Sequence, residues 1–160
     1  MAEPSWDPNV AGIAYLVGSG RVERVTPSVE RARFLVAEAR RHLASARTLA
    51  TTTDTSLAFL AVYDAARKAL TAVLAAQGLR PSGGDGGHAV LLDAVRPQFP
   101  GHKPVLQAFD WMRATRNATE YPDADRPTAS EQDVAEAMPE ATAIVDLVEA
   151  FLAAFAEHRP

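Results

Sequence analysis

The sequence predicts an all-α protein: an up-down bundle of four longer helices plus a short one, preceded by a short N-terminal helical extension. Three observations carry this expectation. Apolar residues recur at helical spacing in four long segments. No segment shows the period-two alternation of a half-buried strand. Glycine, proline and capping residues fall between the segments, where helices start and stop. With 160 residues, 48% of them hydrophobic, the chain is long enough to bury one sizeable core.

Taken in order, residues 1–27 read as an extension and residues 28–157 as the bundle. In the extension, "DPNVAGIAYLVGSG" suits a short helix, with Asp7 as cap, Pro8 in the first turn and Gly18 and Gly20 at its end. The first long helix runs from Val29 to about Leu49, capped by Ser28. Ala32, Leu35, Val36, Ala39, Leu43, Ala46 and Ala50 form its apolar stripe, and Arg33, Arg40, Arg41 and Arg47 lie on another face. "TTTDT" interrupts the pattern. Asp54 or Thr53 then caps a second helix that extends to Gln77, with Phe59, Val62, Tyr63, Ala66, Leu70, Val73 and Leu74 as its buried stripe. Gly78 suits its C-terminal stop.

After a glycine-rich loop, a short third helix spans His88 to about Arg96, closed by Pro97 and Pro100. The fourth begins near Pro104 and ends near Tyr121, before Pro122. Residues 122–129 form a polar loop. "SEQD" at 130–133 reads as a capping box for the fifth helix, which ends near Glu157 and should kink at Pro139.

Composition narrows the function. The absence of cysteine excludes disulfides and thiolate metal sites, and fits a cytoplasmic location. Histidines 42, 88, 102 and 158 show no ligand spacing, so neither a metal nor another cofactor is expected. No apolar run approaches about 18 residues, and the N-terminus lacks a basic signal-peptide region, so no membrane association is expected. Residues 1–116 carry 14 basic and 10 acidic side chains, whereas residues 117–160 carry 2 basic and 10 acidic. The net charge of -4 argues against broad nonspecific DNA binding but permits a local basic surface. "SGGDGGHAV" is not a P-loop: it lacks the Gly-Lys-Ser/Thr ending and no strand precedes it. It does open the third helix, whose N-terminal amides favour an anion, with His88 at the opening.

The charge changes sign inside "FDWMRATRNATEYPDAD", residues 109–125. Val105, Phe109, Met112 and Arg116 share one helical stripe, so an arginine continues an apolar row. Such an arginine belongs in a crevice, at a subunit interface or at the open end of the bundle. Asp110, Arg113, Asn117 and Tyr121 form the adjacent row, and Glu120 is spaced to pair with Arg116. On the second long helix, Asp64, Arg67 and Lys68 share a polar side, where Asp64 can orient an arginine from the fourth helix or from a partner. By residue type alone, these groups make either a solvated, salt-bridged helix end or a site for a phosphate-bearing ligand, with Arg113, Arg67, Lys68 and His88 as its contacts.

The order "YDAARKALTAVLAAQGLRP", "GGHAVLLDAV" and "FDWMRATRNATEYPDAD" resembles the HEPN superfamily, all-helical domains of prokaryotic toxin–antitoxin and defence systems. The resemblance covers roughly residues 28–155. It implies a metal-independent ribonuclease that dimerises so that two motifs face each other. It also implies RNA as substrate and an antitoxin or nucleotidyltransferase as partner. The family's motif arginine falls on Arg116 and its polar neighbour on Asn117, while the histidine position is occupied by Tyr121. The sequence therefore departs from the pattern at the acid–base residue. Cleavage through the 2′-hydroxyl needs one group to take a proton and another to give one. Histidine suits both roles, whereas tyrosine, with an ordinary pKa near 10, is a poor base at neutral pH. Glu120 becomes a candidate base, and Arg113 and Arg116 candidate phosphate ligands. Three readings stay open: a ribonuclease, a noncatalytic module binding RNA, a nucleotide or a protein, and a helical adaptor.

Overall fold

A computed structural model describes residues 11–83, 87–121 and 128–157. In chain order the elements are α1 (Ala11–Gly18), β1 (Val22–Arg24), α2 (Val29–Leu49), α3 (Thr55–Gln77), β2 (Leu79–Pro81), α4 (Gly87–Val95), a 3-10 turn (Arg96–Gln98), α5 (Lys103–Glu120) and α6 (Glu131–Glu157). The expected Asp7–Pro8 start, the stop at Pro122 and the polar loop up to residue 127 lie outside the described residues. The all-α architecture is as the sequence implies: α2, α3, α5 and α6 are the long helices and α4 is the short one.

Local chemistry sets the helix ends. The Ser28 hydroxyl accepts from the Arg31 amide at 3.0 Å, and the Asp54 carboxylate accepts from the Leu57 amide at 3.0 Å, each satisfying a donor that the first turn leaves open. Ser130 and Asp133 form the reciprocal box: the Asp133 amide donates to the Ser130 hydroxyl at 3.1 Å, and the Ser130 amide donates to the Asp133 carboxylate at 2.9 Å. Helix α6 runs on through Pro139.

A two-stranded antiparallel ribbon was not expected. Val22 pairs with Pro81, Glu23 with Arg80 and Arg24 with Leu79. Each strand has three residues, too few to display an alternating pattern. The ribbon continues into the end of α3, where the Val25 amide donates to Gly78 O at 2.8 Å and the Ser28 amide donates to Ala75 O at 2.9 Å. Gly78 has φ 75°, and a Cβ there would come within 2.6 Å of Val25 O and 2.7 Å of Pro27 Cγ. Glycine is thus required twice over, by conformation and by space. Ile13 and Leu16 of α1 and Val22 of β1 join the same core as the later helices.

Helix α3 is the hub, packing against α2, α4, α5 and α6. Thirteen of its 23 residues are buried, so its apolar surface extends well beyond the expected stripe. The additions are Ala58, Ala65, Ala69, Ala72, Ala75 and Ala76. A helix apolar on nearly every side is one that other helices surround. On α2 the stripe holds except at Leu35, which is half-buried, and at Ala50, which follows the last turn and is exposed.

The C-terminal end of α5 is fastened to the starts of α3 and α6. The Thr119 hydroxyl accepts from the Ala129 amide at 2.9 Å, and Ala129 O accepts from the Thr55 hydroxyl at 2.9 Å. These bonds register the last turns of α5 against α3. Across the bundle, Arg40 of α2 makes a two-pronged contact with Glu149 of α6 at 2.7 and 2.8 Å, and reaches Asp146 at 2.5 Å. Both carboxylates raise the pKa of the Arg40 guanidinium.

Two outcomes follow for stability. Phe109 is fully buried and stacked on Tyr63, so Phe109→Ala should cost about 3–5 kcal/mol in urea unfolding. Gly78→Ala should cost more than about 1 kcal/mol, because it forces positive φ on a side chain that collides with backbone; an unchanged melting midpoint would contradict the close approach.

Candidate functional site

The arginine on the apolar row of α5 is half-buried. The Arg116 side chain is 18% exposed. Its guanidinium carbon sits 5.8 Å from the centroid of the Tyr63 ring, within cation–π range. Nη2 pairs with the Glu120 carboxylate at 2.5 Å, and Nη1 donates to Asn117 Oδ1 at 3.1 Å. Arg116, Asn117 and Glu120 therefore act on one another directly, as three neighbours on the last turns of one helix.

Tyr63 is the residue that sequence reasoning left in the core. It is 2% exposed and stacks on Phe109, with centroids 5.3 Å apart and planes 15° apart. Its hydroxyl meets His88 Nδ1 at 2.8 Å. Burial raises the phenol pKa to about 12, overcoming the opposing positive charges of Arg116, Arg67 and Arg113. Of the expected phosphate contacts, His88 touches the buried hydroxyl, and Arg67 and Arg113 act on it through their charge. The signal available in the sequence was a tyrosine inside an apolar stripe, since a buried phenol needs a partner. The partner, 25 residues away on α4, carried no local mark.

Among the described residues Asp64 binds an arginine of its own helix, Arg67, and not one of α5. Its other oxygen meets Lys68 Nζ and His42 Nε2, each at 3.1 Å. Lys68 Nζ lies 2.6 Å from His42 Nε2 and 3.9 Å from Glu38. Lys68 is therefore engaged in a polar seam between α2 and α3. Burial opposes ionisation of Asp64, but hydrogen bonds and charge from Arg67 and Lys68 prevail and hold it below the ordinary carboxylate range. His42 was not anticipated as part of this seam. Burial, then the Lys68 charge, lowers its pKa, with Asp64 opposing. Neutral His42 can take a Lys68 proton donor at Nε2, whereas its protonated form would present N–H to an ammonium.

On α5, Arg113 contacts Asp110 at 3.7 Å, and Asp110 is shared with Arg96 at 3.3 Å. Arg113 Nε is buried with no hydrogen-bond partner among the described residues. Tyr121 caps the helix through its amide to Asn117 O at 3.1 Å, but its residue is 66% exposed. Among the described residues, no cluster of three His, Asp or Glu side chains is arranged to hold a metal ion, and no helix is long and apolar enough to cross a membrane.

The seam has a pH signature. Because folding lowers the His42 pKa, the unfolded chain binds the extra proton more readily. The His42 contribution is full above about pH 6.5 and is lost as pH falls through the folded-state value. Relative to wild type, His42→Gln should therefore lose less stability between pH 7.5 and 5 in a series of urea titrations. A pH-independent difference between the two proteins would contradict this.

No curated protein and no solved structure matches the chain significantly. The family model described as the HEPN domain matches residues 32–151, which include α3, α4, α5 and every residue gathered around Tyr63. On that match across most of its length, the chain belongs to the HEPN domain family.

Proposed function

We propose that this protein is a metal-independent endoribonuclease of a toxin–antitoxin or defence system, working as a homodimer. The observation that carries the reading is the Arg116 guanidinium, 5.8 Å from the Tyr63 ring, beside Arg113 of the same helix, whose buried Nε lacks a hydrogen-bond partner among the described residues. A buried donor without an acceptor calls for one, and a phosphodiester supplies acceptor oxygens and negative charge together. Arg116 and Arg113 bind the phosphate and stabilise the charge it gains in the transition state. Asn117 and Glu120 set the direction of the Arg116 guanidinium, and Tyr121 borders the site at the helix end. Lys68 acts through its seam with Asp64, beside Arg67. A second copy facing this helix end completes the site, and an antitoxin or nucleotidyltransferase is the partner that restrains it.

One observation favours a second reading, a noncatalytic module that binds RNA or a nucleotide. Tyr121 stands at the motif's acid–base position and is largely exposed, and Glu120 is already paired with Arg116.

Purified protein incubated with total RNA and tRNA in the presence of a chelator separates the two. The ribonuclease reading expects cleavage that resists chelation and falls at least about 100-fold in folded Arg116→Ala, the order seen when one oxyanion donor is removed. Light scattering at micromolar concentration should show a dimer; a monomer alone would contradict the facing-site arrangement. Intact RNA that is nevertheless bound, with affinity lost in Arg116→Ala, would establish the binding module instead.

A further inference from the structure

We propose that Glu38 and His42 of α2 and Asp64 and Lys68 of α3 form a proton-driven switch between the two helices: when His42 takes up a proton, Asp64 passes from Lys68 to His42, and Lys68 passes to Glu38. The switch stands apart from the ribonuclease reading, because it rests on contacts between α2 and α3 alone.

Helical spacing places the four groups. Glu38 and His42 are one turn apart on α2, as are Asp64 and Lys68 on α3, and all four residues are half-buried. His42 Nε2 lies 2.6 Å from Lys68 Nζ and 3.1 Å from Asp64 Oδ2, and Nζ lies 3.1 Å from the same Oδ2. One ring nitrogen thus faces a cation and an anion together, and it can serve only one of them in each protonation state.

An ammonium can only donate. The 2.6 Å contact therefore requires a lone pair at His42 Nε2, which puts the proton of the neutral ring on Nδ1. In that state Lys68 bridges His42 and Asp64. A protonated ring carries N–H at both nitrogens. Its Nε2–H donates to Asp64 Oδ2 and repels the Lys68 ammonium. A second carboxylate is within reach of Lys68, since Glu38 Oε2 lies 3.9 Å from Nζ, and rotation of the flexible lysine side chain closes that distance. Glu38 Oε1 is buried without a hydrogen-bond partner among the described residues, although it faces the charge of Arg41. Arg67 Nε holds Asp64 Oδ1 at 2.9 Å, so Asp64 stays anchored and the exchange is confined to Oδ2.

The surroundings set the resting state. Burial and then the Lys68 charge oppose the proton on His42, Arg41 and Arg67 oppose it further, and Asp64 favours it. Helix α6, which also packs on α2, directs Asp146 and Glu149 to Arg40. Neutral pH therefore holds the state bridged by Lys68, and the exchange takes place as pH falls below the ordinary histidine range.

In the test, isotope-labelled full-length protein is titrated between about pH 4.5 and 8, and NMR follows the ring nitrogens of His42 and the side chain of Lys68. At neutral pH the nitrogen shifts should report a proton on Nδ1 of His42. The Lys68 resonances should move with the same midpoint as His42, below that of a free histidine. Lys68→Met should raise the His42 midpoint, because it removes the opposing charge and leaves Asp64 as acceptor. Glu38→Gln should shrink the Lys68 response, because the second carboxylate is gone. A neutral His42 protonated at Nε2, or Lys68 resonances that stay still while His42 titrates, overturns the switch; both are read on wild type, so the test is decided even if a variant fails to fold. An unmoved His42 midpoint in folded Lys68→Met overturns it as well. An undiminished Lys68 response in folded Glu38→Gln overturns the transfer to Glu38.

Discussion

Burial of α3 on nearly every side is the constraint around which the rest of the molecule is arranged. Alanine makes it feasible: Ala58, Ala65, Ala69, Ala72 and Ala76 are fully buried and leave room for neighbouring helices to approach. The cost falls on Tyr63, whose polar hydroxyl goes into the interior with the apolar residues. An unpartnered buried hydroxyl costs about 1–3 kcal/mol, and His88 relieves it. That single bond ties the first turn of α4 to the middle of α3. The ring beneath it serves as a floor for Arg116 and as a stacking partner for Phe109. The core and the candidate site are therefore two sides of one side chain.

The charges divide unevenly around this centre. Arg40 takes up Glu149 and Asp146 between α2 and α6. Asp64 takes up Arg67 and Lys68 beside the site. Arg113 shares Asp110 with Arg96 at longer range and keeps a buried Nε without a hydrogen-bond partner among the described residues. Arg67, Arg113 and Arg116 are thus each set against a carboxylate of their own helix, Asp64, Asp110 and Glu120. Glu120 lies at the surface while Arg116 is half-buried, so the Arg116–Glu120 contact is only partly shielded from solvent. The Thr119–Ala129–Thr55 hydrogen bonds, not the ion pair, hold this end of α5 in register.

Because they depend on neighbours within a few positions, the helices were legible in the sequence. Ser28, Asp54 and Ser130 sit where first-turn amides need acceptors, and Gly78 sits where the chain must leave α3 with positive φ. The placement of Arg116 on an apolar row was legible for the same reason, and so was its pairing with Glu120 one turn on. The three-residue ribbon was not, since pairing of Val22–Arg24 with Leu79–Pro81 is a contact between distant segments with no periodic signature. His42 likewise reads as one residue on a polar face until α2 and α3 pack and bring it to Lys68.

By itself the sequence determined the helix order, the helix ends, the all-α class and the presence of an arginine where an apolar residue belongs, because caps, turns and the 3.6-residue period act locally. Only the tertiary structure decided that Tyr63 is the shared neighbour of Arg116 and His88, that Asp64 serves Arg67 of its own helix, and that the Tyr121 side chain is exposed to solvent. Those choices depend on how α3, α4 and α5 are rotated against one another. That rotation is set by close packing of the alanine faces and by the need of one buried hydroxyl for a partner.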